Sequence, residues 1–135
     1  MSVTLQFSDG QVEVPRAACV FSGLFSSLFE DCGDISTIPL DAYTVEETKD
    51  IIAYLRAHVG KVLEREQCDT MRVEDIVEED WEKEALPDDM ERNLHNLMVS
   101  VYMQIDDVRL LMYKRTAELI KGCTIHEVKE KLGLN

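Results

Sequence analysis

The chain has 135 residues, 45% of them hydrophobic, and a formal charge of −13. That length suits one domain able to bury about two-thirds of its unfolded surface, and the apolar content argues against global disorder. The acidity excludes partners that demand a basic surface, so neither nucleic acid nor an anionic membrane is expected to bind. No apolar run approaches the ~20 residues of a membrane-spanning helix. The first residues alternate as a strand, so no signal peptide is expected. Cys19, Cys32, Cys68 and Cys123 form no CxxC pair and have no histidine at ligand spacing, which points to a reduced, cytoplasmic or nuclear setting. Cys19 lies in an apolar run and reads as a small core residue.

Val3, Leu5 and Phe7 alternate with Thr4 and Gln6, the period of a half-buried strand. Ser8-Asp9-Gly10 is a turn signal, with the glycine free to take a positive φ, and Val12 and Val14 resume the alternation to complete a hairpin. Pro15 opens a short helical turn through Phe21. Leu24, Phe25, Leu28 and Phe29 mark one face of a second short helix ending near Gly33. Ile35, Ile38 and Leu40 predict a third strand, which Pro39 restricts to an edge or an end. Tyr43 to His58 reads as a helix, with a Thr44–Glu47 capping box, a buried face of Ile51, Ile52, Leu55 and Val59, and a stop at Gly60.

From Lys61 to Asp80 the composition turns charged and loses its period, as in a long solvated loop that Val73, Ile76 and Val77 could rest against the domain. The acidic run Glu78-Glu79-Asp80, extended by Glu82 and Glu84, reads as a solvated helix start. Trp81 within it reads as the anchor that returns the loop to the core.

The stretch from Trp81 to Asn135 predicts three or four helices and holds more apolar residues than one small core needs. Met90, Leu94, Leu97, Met98, Val101, Tyr102 and Ile105 form one amphipathic stripe between Pro87 and Ile105, with Asp88 and Asp89 at the favourable end of the helix dipole. Asp106 to Lys121 is apolar on two faces: Val108, Leu111, Met112 and Leu119 on one, Leu110, Tyr113, Ala117 and Ile120 on the other. Such a helix is sandwiched in the domain or offers one face to a partner. Gly122 caps it, and a Thr124–Glu127 capping box opens a last helix with Ile125, Val128 and Leu132 inward, ending at Gly133.

Chemistry is sparse. His58, His95 and His126 fall on separate helices and read as ordinary surface or border histidines. No phosphate-binding loop, dinucleotide fingerprint, nucleophile elbow or metal-ligand spacing occurs, so no catalytic residue, no metal and no cofactor is expected.

The order of these elements resembles a BTB/POZ-type domain, and more narrowly the Skp family, the adaptors that join F-box proteins to cullins in SCF ubiquitin ligases. Val3-Thr4-Leu5-Gln6 before Ser8-Asp9-Gly10 is similar to the family's first strand and S-D-G turn. Leu28-Phe29-Glu30-Asp31 resembles its leucine and E-D at a helix end, and Trp81-Glu82-Lys83-Glu84 its W-D-x-E. Ile120-Lys121-Gly122, Thr124 and Glu127-Val128 are similar to its I-K-G-x-T-x-E-E-I pattern, with His126 in place of the first glutamate. This extension favours the Skp branch over elongin C.

Three departures accompany the likeness. The family's acidic linker is here the mixed run Lys61 to Glu79. Where the family reads A-A-N-Y-L-D, the chain has Val99-Ser100-Val101-Tyr102-Met103-Gln104, so Val101 replaces an asparagine in the cullin-facing region while Tyr102 is kept. The sequence stops at Asn135, where the family adds two further helices to its F-box clamp.

The expectation is therefore one α/β domain of BTB/POZ type: a small three-stranded sheet packed on a helical cluster, with a C-terminal helical arm. Residues 1–60 form its first part, 61–80 a charged loop, and 81–135 the helical part and shortened arm. The resemblance implies a non-catalytic adaptor for an F-box or F-box-like segment. Leu110, Tyr113, Ile120, Val128, Leu132 and Leu134 would supply apolar contact, with Lys114, Lys121 and Lys129 as the polar rim. Val101 and Tyr102 mark the cullin-facing region, where binding is expected to be weak or absent, and the unpartnered chain is expected to dimerise. The rival expectation is a Skp-like structural subunit of a cytoskeletal or kinetochore assembly that uses no cullin.

Overall fold

Alternating side chains build the sheet. In the computed structural model, which describes residues 2–33, 35–61 and 76–131, β1 (Ser2–Phe7) lies between β2 (Gln11–Pro15) and β3 (Thr37–Leu40). β1 and β2 are an antiparallel hairpin with Val3 opposite Val14, and β3 runs parallel to β1 with Leu5 opposite Ile38. Val3, Leu5, Phe7, Val14, Ile38 and Leu40 are buried from this sheet. Pro39 sits on an edge strand, where its missing amide donor breaks no inner ladder.

The Ser8-Asp9-Gly10 turn is made differently from the expectation. Gly10 takes no positive φ. The turn is held instead by the next helix: the Ser8 amide and hydroxyl both donate to the Tyr43 carbonyl at 3.1 Å. Asp9 Oδ1 accepts from the Val45 amide at 3.0 Å. The hairpin thus caps the entry to α3 (Val45–His58), whose own Thr44–Glu47 capping box is complete.

Pro15 leads into α1 (Arg16–Cys19), with Cys19 buried as expected. α2 (Gly23–Cys32) is capped by Ser22 and stopped by Gly33 at φ 75°. α3 buries Ile51, Ile52 and Leu55, but Val59 is its C-cap and lies 36% exposed. The helix ends one residue before Val59 could join the inner face, and His58 takes that place. His58 was expected near the surface, yet it is 4% exposed. Phe21 stacks on its ring at 3.7 Å and Trp81 meets it edge-on at 5.0 Å, so two aromatic side chains close over the last turn of α3.

Trp81 packs against Tyr54 and His58 from α4 (Asp80–Ala85), where it anchors the return of the chain. Of the preceding residues, Ile76 is buried and Val77 is 65% exposed. Most of the expected loop, Val73 and Cys68 included, falls within 62–75 and lies outside the described residues, as do Leu132 and Leu134. The acidic run is not simply solvated. Glu82 is fully buried, accepting from the Tyr54 hydroxyl at 2.7 Å and the Glu79 amide at 2.9 Å.

α5 (Met90–Met103) and α6 (Asp106–Ile120) form an antiparallel pair, and α7 (Ile125–Lys131) follows beyond Gly122, whose φ is 77°. Gln104, left-handed at φ 56°, makes the elbow between α5 and α6. Its carbonyl accepts from the Gly23 amide at 2.9 Å, and a Cβ on Gly23 would come within 3.0 Å of the Gln104 side chain. Ser22 Oγ donates to the Met103 carbonyl at 2.6 Å, completing the dock between α2 and the elbow. The described residues therefore form a mixed α/β domain, a three-stranded sheet with seven helices.

Arg115 of α6 is 2% exposed. Its Nη1 donates to the Leu86 and Pro87 carbonyls at 3.1 and 3.0 Å and to Asn93 Oδ1 at 3.4 Å, while Nη2 pairs with Glu78. One guanidinium thus ties α6 to α5, to the α4–α5 connection and to the segment leading into α4. Arg115→Met keeps the length and apolar stem but strands these acceptors and the Glu78 carboxylate. The variant is expected to lose about 3–5 kcal/mol of stability, read as a lower urea midpoint at unchanged slope.

Candidate functional site

The amphipathic stripe of α5 points the other way from a core stripe. Its buried residues are Asn93, Asn96, Val99, Ser100 and Met103. On the opposite side Met98, Val101 and Tyr102 are 68%, 52% and 44% exposed. Met90, Leu94 and Leu97 are half-buried at the margins, Leu97 packing against the core, and Ile105, past the helix end, is fully buried. Val101 and Tyr102, which the resemblance marks as the cullin-facing region, both lie on this open side.

The cause is polar. Asp50 of α3, itself 8% exposed, accepts from Asn96 Nδ2 at 3.0 Å and from Arg92 Nε and Nη2 at 2.9 and 2.5 Å. Asn93 Nδ2 donates to Asp88 at 2.9 Å while its Oδ1 faces Arg115. Ser100 returns its hydroxyl to the Leu97 carbonyl at 2.7 Å. The inner face of α5 is thus a row of amides and hydroxyls gripped by a carboxylate and a guanidinium, with Asn96 Oδ1 the one amide oxygen of that row left without a partner among the described residues. The hydrogen bond to Asp50 also raises the Arg92 pKa above its ordinary value.

Tyr102 meets Tyr43 edge-on at 5.2 Å, extending the exposed apolar face toward the start of α3. Burial raises the Tyr43 phenol above its ordinary pKa, with Tyr102 and Glu47 adding to the shift. A groove of about 330 Å3 adjoins, lined by Glu46, Glu47, Lys49, Asp50, Glu91, Arg92 and His95. His95 Nε2 lies 2.6 Å from the Glu47 carbonyl, so that nitrogen donates and the ring spans the groove from α5 to α3.

The second apolar surface is the arm. The two faces of α6 are resolved by burial: Val108, Leu111 and Met112 are core, and Leu110, at 6% exposure, joins them. Leu110 is therefore placed inside and apart from the other residues assigned to partner contact. Tyr113 remains 41% exposed, beneath the Arg109 guanidinium at 5.7 Å. Ile120 and Val128 are half-buried, Lys114 is half-buried within 4.0 Å of Glu118, and Lys121 and Lys129 are exposed. Ile125, expected inward, is instead 78% exposed. Thr124 Oγ1 caps α7 by accepting from the Glu127 amide at 3.2 Å.

Among the described residues no three histidines, cysteines or carboxylates gather as a metal would require, and no helix is long and apolar enough to cross a membrane. His126 is exposed and pairs with Glu130 at 3.0 Å, and His58 Nε2 lies 3.2 Å from Asp107 in an aromatic enclosure. What the geometry offers is contact surface on α5 and on the arm. No family model and no curated protein matches the chain.

The inverted helix has a measurable signature. Met98→Gln, on the open face, is expected to change stability by less than about 0.5 kcal/mol. Asn96→Ala, which strips a donor from buried Asp50, is expected to cost about 1–3 kcal/mol. Paired thermal unfolding of the two variants checks the ordering, and a larger loss for Met98→Gln would place the apolar stripe on the inner face.

Proposed function

We propose that this chain is a non-catalytic, Skp-like adaptor of BTB/POZ type that binds an F-box or F-box-like helical segment through α6 and α7. The observation that carries the reading is the division of α6. One side closes the core, while Tyr113 on α6 and Ile125 on α7 stay exposed and Val128 is half-buried. Monomers seldom leave a contiguous apolar patch larger than a few hundred Å2 uncovered. The sheet order β2-β1-β3, its parallel β1–β3 pair and the capped α3 support the BTB/POZ architecture. In this reading Tyr113, Ile120 and Val128 are the apolar contacts and Lys114, Lys121 and Lys129 the rim. The adaptor works in the cytoplasm or nucleus, and an SCF-type ligase is its setting only where the cullin contact tested below is made.

A structural role in a larger cytoskeletal or kinetochore assembly, without a cullin, is the second reading, and Val101 favours it. At 52% exposure it presents no donor or acceptor on the open face of α5, where the resembling family carries an asparagine amide. A cullin group facing it would lose a partner at about 1–3 kcal/mol, which is about 5- to 150-fold in affinity. Co-purification separates the two readings, yielding cullin and ligase subunits for one and a single stoichiometric large partner for the other. Direct titration with a cullin is expected to give weak or no binding, partly restored by Val101→Asn. Tight binding by the unaltered chain would return Val101 to the status of a tolerated substitution.

A further inference from the structure

Three contacts lay α5 antiparallel against the start of α3: Arg92 with Asp50, His95 with the Glu47 carbonyl, and Tyr102 with Tyr43. Exposed Met98, Val101 and Tyr102 stand three and four residues apart, on one side of α5 beside this seam. The groove lined by Glu46, Glu91 and His95 continues the seam toward the start of α5. Seven residues, or about 10 Å of helix, separate Met98 from Glu91.

Charge along the seam has one sign. The two stretches that frame it, 41–50 and 88–104, hold seven Asp and Glu against two Lys and Arg, a net of −5. Both cations are already engaged inside the frame, Arg92 by buried Asp50 and Lys49 by Glu46. Asp41, Glu47, Asp88, Asp89 and Glu91 are all exposed, and neither stretch holds another Lys or Arg to meet them. Asp9 of the hairpin turn adds one more carboxylate at the start of α3. Beyond the elbow Asp106 pairs with Arg109 and Asp107 with His58, so the first turn of α6 brings no excess of cations.

Independently of the arm, we propose that this face docks an amphipathic helix of a partner protein, with an apolar ridge over Met98, Val101 and Tyr102 and Lys or Arg about two turns along, over Glu46 and Glu91. The carboxylate frame selects the flank, because basic residues meet open opposite charge there and acidic ones meet their like. A second copy of this chain is disfavoured for the same reason, since it would set one acidic frame against another. Val101 selects the ridge. It offers no donor or acceptor, so an amide or hydroxyl pressed on it would be buried without a partner, and the residue above it is apolar. A contact built for an asparagine amide at that position is a different one, and the two respond oppositely to Val101→Asn.

The test uses the full chain, isotopically labelled, and synthetic helical peptides of about 18 residues that share one leucine ridge and carry Lys, Gln or Glu two turns from it. The Lys peptide is expected to bind about tenfold more tightly than the Gln peptide at ~50 mM salt, with the Glu peptide weakest and the gap closing at ~500 mM. Met98, Val101, Tyr102 and His95 resonances should shift on binding. The Glu46→Gln/Glu91→Gln chain should lose most of the preference for Lys while keeping its affinity for the Gln peptide. Met98→Gln, on the open face, should weaken all three peptides about tenfold. Val101→Asn should weaken the Lys peptide, and a gain in affinity would overturn the apolar match. Equal affinities for the three peptides, or binding that leaves the α5 resonances unmoved, would overturn the proposal. So would a dimer of the chain alone that Met98→Gln abolishes, which would assign the face to a second copy.

Discussion

Two buried charges hold α5 in its orientation, and the rest of the helical half depends on that. Asp50 reaches it from α3 and Arg115 from α6, and each is met by an asparagine of α5. Turning α5 to bury Met98, Val101 and Tyr102 would gain roughly 1–2 kcal/mol for each side chain brought in from partial exposure. The same turn would pull Asn93 and Asn96 away and leave a carboxylate and a guanidinium short of partners, at roughly 3–5 kcal/mol for each broken buried ionic site. The polar cost is the larger one. An apolar stripe stays in the open because its helix's other side is committed to satisfying charge.

That orientation passes to α6 through the elbow. Gln104 holds a left-handed conformation that a side chain adopts only at some cost. It is fixed there by the Gly23 amide, while Ser22 takes the neighbouring Met103 carbonyl. α6 then lies along α5 with Leu110, Leu111, Met112 and Arg115 turned in. Because Arg115 occupies an inner position, α6 closes the core with a mixture of apolar bulk and one cation. The apolar residues left over, Tyr113 first among them, have no place in that core and remain on the outside.

Local signals in the sequence were read correctly wherever short-range chemistry decides the outcome. The Val3-Leu5-Phe7 alternation, the Thr44–Glu47 capping box, the edge position implied by Pro39 and the stops at Gly33, Gly60 and Gly122 all depend on a few neighbouring residues. Two further signals lie in the helical spacing itself. His58 follows Ile51 and Leu55 at helical spacing and so belongs to the buried face of α3. Asn93, Asn96 and Ser100 repeat at helical spacing as strictly as the apolar stripe does. Gly10 shows the reverse error, since a turn residue suited to positive φ occupies an ordinary conformation there.

What a helical period cannot supply is a sign. It reports that α5 has one apolar and one polar side, and a bias toward apolar interiors then assigns the apolar side to the core. Here the assignment is reversed by residues far away in sequence: Asp50 lies 46 positions from Asn96, and Arg115 lies 22 from Asn93. Neither pairing leaves a trace in the spacing of either helix. The reading of α6 had the same indeterminacy, with two apolar faces and no local reason to choose between them. Arg115 again makes the choice, for it can be buried only where Glu78, the Leu86 and Pro87 carbonyls and Asn93 converge on it. With that side fixed as the inner one, Tyr113 is left facing out.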